Sequence, residues 1–253
     1  MTDIDNEFLD LAIENAMTLE EAQQYDAQLY YTADTDMLEY GSPAAAQVVL
    51  EDDKMRTTFL KRAVKHARSS PEYSRYRKYL AENFEMDRCS LFRNLNAEAL
   101  SGDVEIHHHP ITIYDICDIV FCRMTATAQP GDHITALTVA NRVMELHWKG
   151  QVGLVPLTST VHELVHNEQI VIHPAMIYGD WVQFLKDHAA WISEDIKQRL
   201  FAEGNMWERV IADGYDLTLL DVQPICWKRD GIQFEQVIKH AKELAAPSVD
   251  EDE

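Results

Sequence analysis

The chain has 253 residues, 46% of them hydrophobic, and a formal net charge of -21. That is enough apolar material for one or two domains with a real core, but no apolar run approaches the roughly 20 residues of a membrane span. The acidic balance disfavours a general nucleic-acid-coating surface, and the opening stretch MTDIDNEFLD has neither the basic nor the apolar region of a secretory leader.

Charge is unevenly placed. Residues 1–53 carry fourteen Asp and Glu and no Lys or Arg. From Lys54 to Leu80 the sign reverses, with nine cations against the single acid Glu72. Acid returns in the terminal SVDEDE. The basic run reads either as a solvated helix face or as a phosphate-contacting surface, for which Lys61, Arg62, Lys65, Arg68, Arg75 and Arg77 are the candidates. The acidic N-terminal segment is a candidate surface for a protein partner. Cys89, Cys117, Cys122 and Cys226 form no C-x-x-C pair, so buried thiols in a reduced, cytoplasmic protein are expected.

In chain order, Asp5 to Tyr31 reads as one or two helices, with Thr18 ahead of Glu20 and Glu21 as a start signal. TADTDMLEYGSPAAA reads as a linker. Met55 to Arg68 is helical. Ser70 then caps a second helix, with Pro71 in its first turn, that runs to about Phe84. Tyr73, Tyr76 and Tyr79 on that helix are expected to be partly core. DVEIHHHP is a short strand stopped by Pro110, and Thr112 with Asp115 starts the next helix. AQPGD is a loop, Thr135 to Trp148 a helix ending at Gly150, and VGLVPL a strand. Thr158 or Ser159 caps a short helix that carries HELVH. QIVIHP reads as another strand. From Gly179 onward the chain is mainly helical, with Ser193 as a cap and Gly204 as a stop or break.

The chemistry sits in the histidines. His162 and His166, four apart on a helix, share a face and can share an ion, but they are only half a site. Upstream stand His107, His108 and His109 at a strand end, poor core material. Adjacent strand residues point to opposite faces, so if His107 faces a metal, His108 needs a local twist to join it.

EIHHHP followed by VGLVPLTSTVHELVHN resembles the motif of the HNH, or His-Me finger, endonucleases, over Glu105 to Asn167. The wider order SPEYSRYRKYL, EIHHHPITIYDI, VMELHWKGQVGLVPLTSTVHELVH, YGDWVQFL also resembles HNH-like proteins of bacteriophages. The resemblance implies a ββα-metal unit with one divalent ion (Zn, Ni, Mn or Mg) held by His107, His162 and His166. It implies His108 as general base in the hydrolysis of phosphodiester bonds of DNA. A histidine base, with an ordinary pKa near ~6.5, suits this work at neutral pH. Glu105, Glu163 and His109 are candidates for supporting positions around the ion. This chain departs from the family in having Gly153 where an Asn that orients the catalytic His usually precedes LVPL, so His147 or Asn141 would have to substitute. About forty residues between the strands imply inserted helices.

The expected fold is therefore α+β and predominantly helical. A ββα-metal core with inserted helices occupies 101–178. It is preceded by an acidic helical segment, 1–53, and a basic helical segment, 54–100, and followed by a helical region with an acidic tail, 179–253. The expected role is an HNH-type endonuclease, phage-encoded and acting in the host cytoplasm with no membrane partner. Two other readings compete. One is an inactive interaction protein on the same scaffold, with a phage host-takeover or nucleic-acid-mimic role. The other is an H-E-x-x-H zinc protease, with Glu163 as base and Glu194 as a distant third ligand. The protease leaves EIHHHP unexplained, and His173 stands seven rather than six residues past His166.

Overall fold

Whether a local pattern becomes a helix or strand depends on what caps and covers it. The structure, a computed structural model, describes residues 41–91, 104–167 and 169–212, together with Lys239 and Glu243. The expectations for 5–31, Cys226 and the acidic tail lie outside the described residues. The described chain is α+β and mostly helical, with one two-stranded sheet. It divides into two units, each built from two stretches of sequence: Met1–Arg77 with Ile113–Lys149, and Lys78–Thr112 with Gly150–Glu253.

In the first unit, helix α1 spans Pro43–Glu51 and α2 spans Asp53–Ser69; α3, Pro71–Phe84, begins here and ends in the second unit. The Ser42 hydroxyl accepts from the Ala45 amide and Asp52 accepts from the Met55 amide at 2.8 Å, so each helix starts on a side-chain cap. The expected linker therefore ends at Ser42, because the Ser-Pro pair that looks like loop is itself a helix start. Ser70 caps α3 as expected, accepting from the Tyr73 amide at 3.0 Å. Helices α4, Ile113–Thr127, and α5, Ala136–Trp148, complete the unit. Thr135 and Thr138 cap α5 reciprocally. Phe59, Leu60, Ala63 and Ala67 of α2 are buried with Ile116, Ile119 and Phe121 of α4 and Val139 and Val143 of α5. Phe59 stacks on Phe121 at 4.3 Å. Arg56 reaches across to Asp118 with two hydrogen bonds of 2.8 and 2.7 Å. The two helices expected as insertions between the strands are thus half of a separate helical core.

In the second unit, β1, Val104–His108, pairs antiparallel with β2, Leu154–Thr158, in a register that sets His107 opposite Val155 and His108 opposite Leu154. Pro156 sits inside β2, where its carbonyl accepts from the Ser90 amide at 2.8 Å. Helix α6, Ser159–His166, follows β2 directly and packs on both strands. Thr158 occupies its N-cap, but its hydroxyl makes no capping bond. QIVIHP is not a strand. Pro174 opens a 3-10 turn over Pro174–Met176, with His173 accepting from the Ala175 amide. The free edge of β2 is met instead by Tyr178, which exchanges two 2.9 Å backbone bonds with Leu154. A β-branched run becomes a strand only where an edge is available to it. Helices α7, Trp181–His188, and α8, Glu194–Ala212, complete the unit. Gly204 does not end α8. It lies buried within it.

Cys89 and Cys117 are buried and Cys122 half-buried, all as free thiols; burial pushes the Cys117 thiol up to about 12. No helix among the described residues is long and apolar enough to cross a membrane.

Candidate metal centre

Strand alternation and the i, i+4 repeat bring three histidines from two elements together. His107 sits on the face of β1 against α6. Its ring centroid is 4.8 Å from that of His162 and 5.2 Å from that of His166. One ring nitrogen from each of the three can be chosen so that all lie within 4.8 Å of one another. His107 is buried, His162 half-buried and His166 exposed, so the group opens to solvent on one side.

The hydrogen bonds decide which nitrogens are available. His162 Nδ1 lies 2.6 Å from Glu105 Oε2, two strand positions before His107 and on the same face. An ionised carboxylate only accepts, so Nδ1 carries a proton, and in the neutral ring Nε2 then keeps its lone pair. That Nε2 lies 2.9 Å from Nε2 of His166. Two imidazole lone pairs cannot face each other at this distance unless a proton or a cation lies between them. A carboxylate behind a histidine whose other nitrogen points into a cluster is the usual arrangement around a metal-binding imidazole. The residues present therefore fit a divalent ion with three imidazole donors and a remaining position toward solvent.

The other expected site residues divide. His108 is buried on β1, on the opposite face by alternation. His109, just past the strand, returns to the cluster's side. Its ring is 5.9 Å from His107, and its Nε2 lies 3.2 Å from Glu203 Oε1 of α8. Trp207 adds an edge contact at 6.0 Å. Glu203 and Trp207 were not foreseen, since nothing local in a helix about ninety residues downstream marks them. Glu163 is exposed on α6 and is not among the converging groups. Glu194 is exposed beside Lys197, and His173 caps its turn, so neither acts as the protease reading's third ligand; the third histidine comes from upstream instead.

His147 and Asn141, the expected substitutes for the orienting Asn, share one helix. Both lie on α5 in the helical unit. His147 is fully buried, donates from Nδ1 to the Val143 carbonyl at 2.7 Å and meets the rings of Tyr73 and Tyr76 edge-on. Burial lowers its pKa from 6.5 to about 4, against the raising effect of the Val143 carbonyl. The folded state thus favours neutral His147, and this stabilisation is complete above pH 6.5 and lost as pH falls toward 4. At ~1.4 kcal/mol per pKa unit, the loss is on the order of 3 kcal/mol. Urea unfolding at pH 7 and pH 4.5 should show that dependence in the native chain and less of it in His147→Gln.

Gly153 has a steric reason. A Cβ built there would lie 1.9 Å from the His109 carbonyl oxygen and 3.1 Å from Ile177, because the two backbones meet where the His109 amide donates to the Gly153 carbonyl. Any side chain, Asn included, would force them apart. Gly153→Ala is expected to cost at least about 1–3 kcal/mol, the usual range for overpacking, read as a lower urea midpoint with an unchanged slope.

A family model described as Bacteriophage G278-like virion protein matches residues 3–222. The chain belongs to that family. No curated protein and no solved structure matches it. Membership in this virion-protein family agrees with the bacteriophage side of the resemblance read from the sequence. The nuclease side rests on the histidine cluster alone.

Proposed function

We propose that this virion protein is a metal-dependent endonuclease that hydrolyses phosphodiester bonds of DNA, carried with the phage and acting in the host cytoplasm. The observation that carries the reading is the convergence of His107, His162 and His166, with Glu105 behind His162, on a hairpin and the helix that follows it. A hairpin followed directly by a helix is the order of parts that a ββα-metal unit would have, which supports the reading. Three imidazoles suit zinc, nickel or manganese better than magnesium, which prefers oxygen donors. When bound, such an ion supplies a Lewis acid for the charge that develops on the phosphate and the leaving 3′ oxygen.

The chain's own residues do the rest. His107, His162 and His166 present ring nitrogens to one point, and Glu105 holds His162 in the tautomer that leaves Nε2 available. His109, on the cluster's side and beside Glu203, takes a proton from the attacking water on an imidazole nitrogen. The water oxygen bonds to phosphorus, the bond to the 3′ oxygen breaks, and that oxygen is protonated from solvent. His108, the base that the resemblance implies, lies on the opposite face of β1 and would need a local twist of the strand to take that part.

Supercoiled DNA incubated with metal-stripped protein, then with Zn²⁺, Ni²⁺, Mn²⁺ or Mg²⁺ restored, should be nicked or cut in at least one of the first three. Absence of cleavage under every ion would sink the reading. Metal binding without cleavage would favour an interaction protein on the same scaffold, the reading to which Gly153, in place of the orienting Asn, lends support.

A further inference from the structure

We propose that the outward face of α2 is a docking surface for the phosphates of duplex nucleic acid, formed by Lys54, Lys61, Lys65 and Arg68. The inference rests on the reading of this chain as one that acts on DNA and names where the polyanion is held.

At about 100° per residue, these four positions fall within roughly 60° of one another around the helix. They span fifteen residues, and the fourteen steps between the ends measure about 21 Å at ~1.5 Å per residue. All four are exposed. The buried positions of the same helix, Phe59, Leu60, Ala63 and Ala67, lie on the opposite side. The other cations of the basic run are placed differently. Arg56 turns inward to Asp118. Arg62 is half-buried and lies about 80° around the helix from Lys54, outside the arc of the four, which removes it from the surface expected from sequence. Lys54 was not among the expected contacts and joins the stripe.

No ion pair links any of the four to a described residue, and no acid lies between them on this face; the intervening positions there are Thr57 and Thr58. In a chain of net charge -21, a 21 Å row of cations without counter-charges among the described residues is a departure in need of a partner. The row has no aromatic or apolar anchor, which a protein partner would ordinarily bury at the centre of its contact. Phosphate docking requires cations alone, and duplex DNA offers one charge per ~1.7 Å of axis.

The test measures binding of the full chain to a fluorescent DNA duplex, in chelator so that no cleavage occurs, across a series of KCl concentrations. Each neutralised phosphate contributes about 0.9 to the slope of log affinity against log salt, so K54Q/K61Q/K65Q/R68Q together should lower the slope by about 3 to 4. K186Q, removing an exposed lysine of α7, should leave it unchanged. A quadruple variant with the native slope, or a native chain that does not bind DNA at low salt, overturns the proposal. So does poly-glutamate binding as tightly as the duplex, which would assign the face to an acidic polypeptide. Native DNA binding and slope without cleavage under any restored metal would overturn the hydrolytic reading and leave the docking surface standing. Cleavage by a variant of unchanged slope would do the reverse.

Discussion

His166→Ala is expected to lower zinc affinity by more than about 100-fold, with Glu105→Gln losing about 10- to 100-fold, the usual range when a ligand's hydrogen-bond partner is removed. The gradation follows from the geometry. His166 supplies a nitrogen 2.9 Å from that of His162, so its loss removes one donor of three. Glu105 supplies none, but it holds the proton on His162 Nδ1. Without that partner, His162 can turn or take the other tautomer. His166 is exposed, so its truncation leaves the core of the second unit untouched, and circular dichroism should be unchanged. Isothermal titration with Zn²⁺ and Ni²⁺ reads both variants. If the native chain binds neither ion, the close contact between His162 and His166 is a shared proton and the centre is not a metal site.

The second large effect separates the histidines that hold from the one that moves a proton. His109→Ala should reduce DNA cleavage by about 10²- to 10⁴-fold, the typical contribution of acid–base catalysis, while metal binding stays near native. His107→Ala should lose metal and cleavage together. Glu163→Gln should cost little, since Glu163 is exposed and outside the converging set. A different ranking carries its own meaning. Should His108→Ala abolish cleavage while His109→Ala and Glu203→Gln do not, the proton passes to His108, as the resemblance implies, through a twist of the strand end. Should Glu163→Gln instead remove a peptidase activity, the H-E-x-x-H motif is a protease centre and the nuclease reading fails.

What the chain encodes locally was legible as sequence. Ser70-Pro71 and Thr135 mark helix starts because a side-chain oxygen and a fixed φ act within one turn. EIHH and LVPL are strands between turn residues. His162 and His166 share a face because the helical repeat allows nothing else. The resemblance in motif order then brought the upstream histidines into the same hypothesis.

Whatever depends on distant segments was decided only by the tertiary structure. The register of β1 on β2 selects His107 for the cluster and turns His108 away, and a shift of one residue would exchange them. Glu203 reaches His109 from a helix about ninety residues away, with no local signal to announce it. QIVIHP has the composition of a strand but no sheet edge, since Tyr178 takes it. Gly153 is required by a carbonyl forty-four residues earlier in the chain. The basic run is continuous in sequence, yet only packing separates Arg56, bound to Asp118, from the four cations left outside. Propensity and periodicity act over one or two turns, whereas burial and hydrogen-bond partners are settled by whichever segments the fold brings into contact.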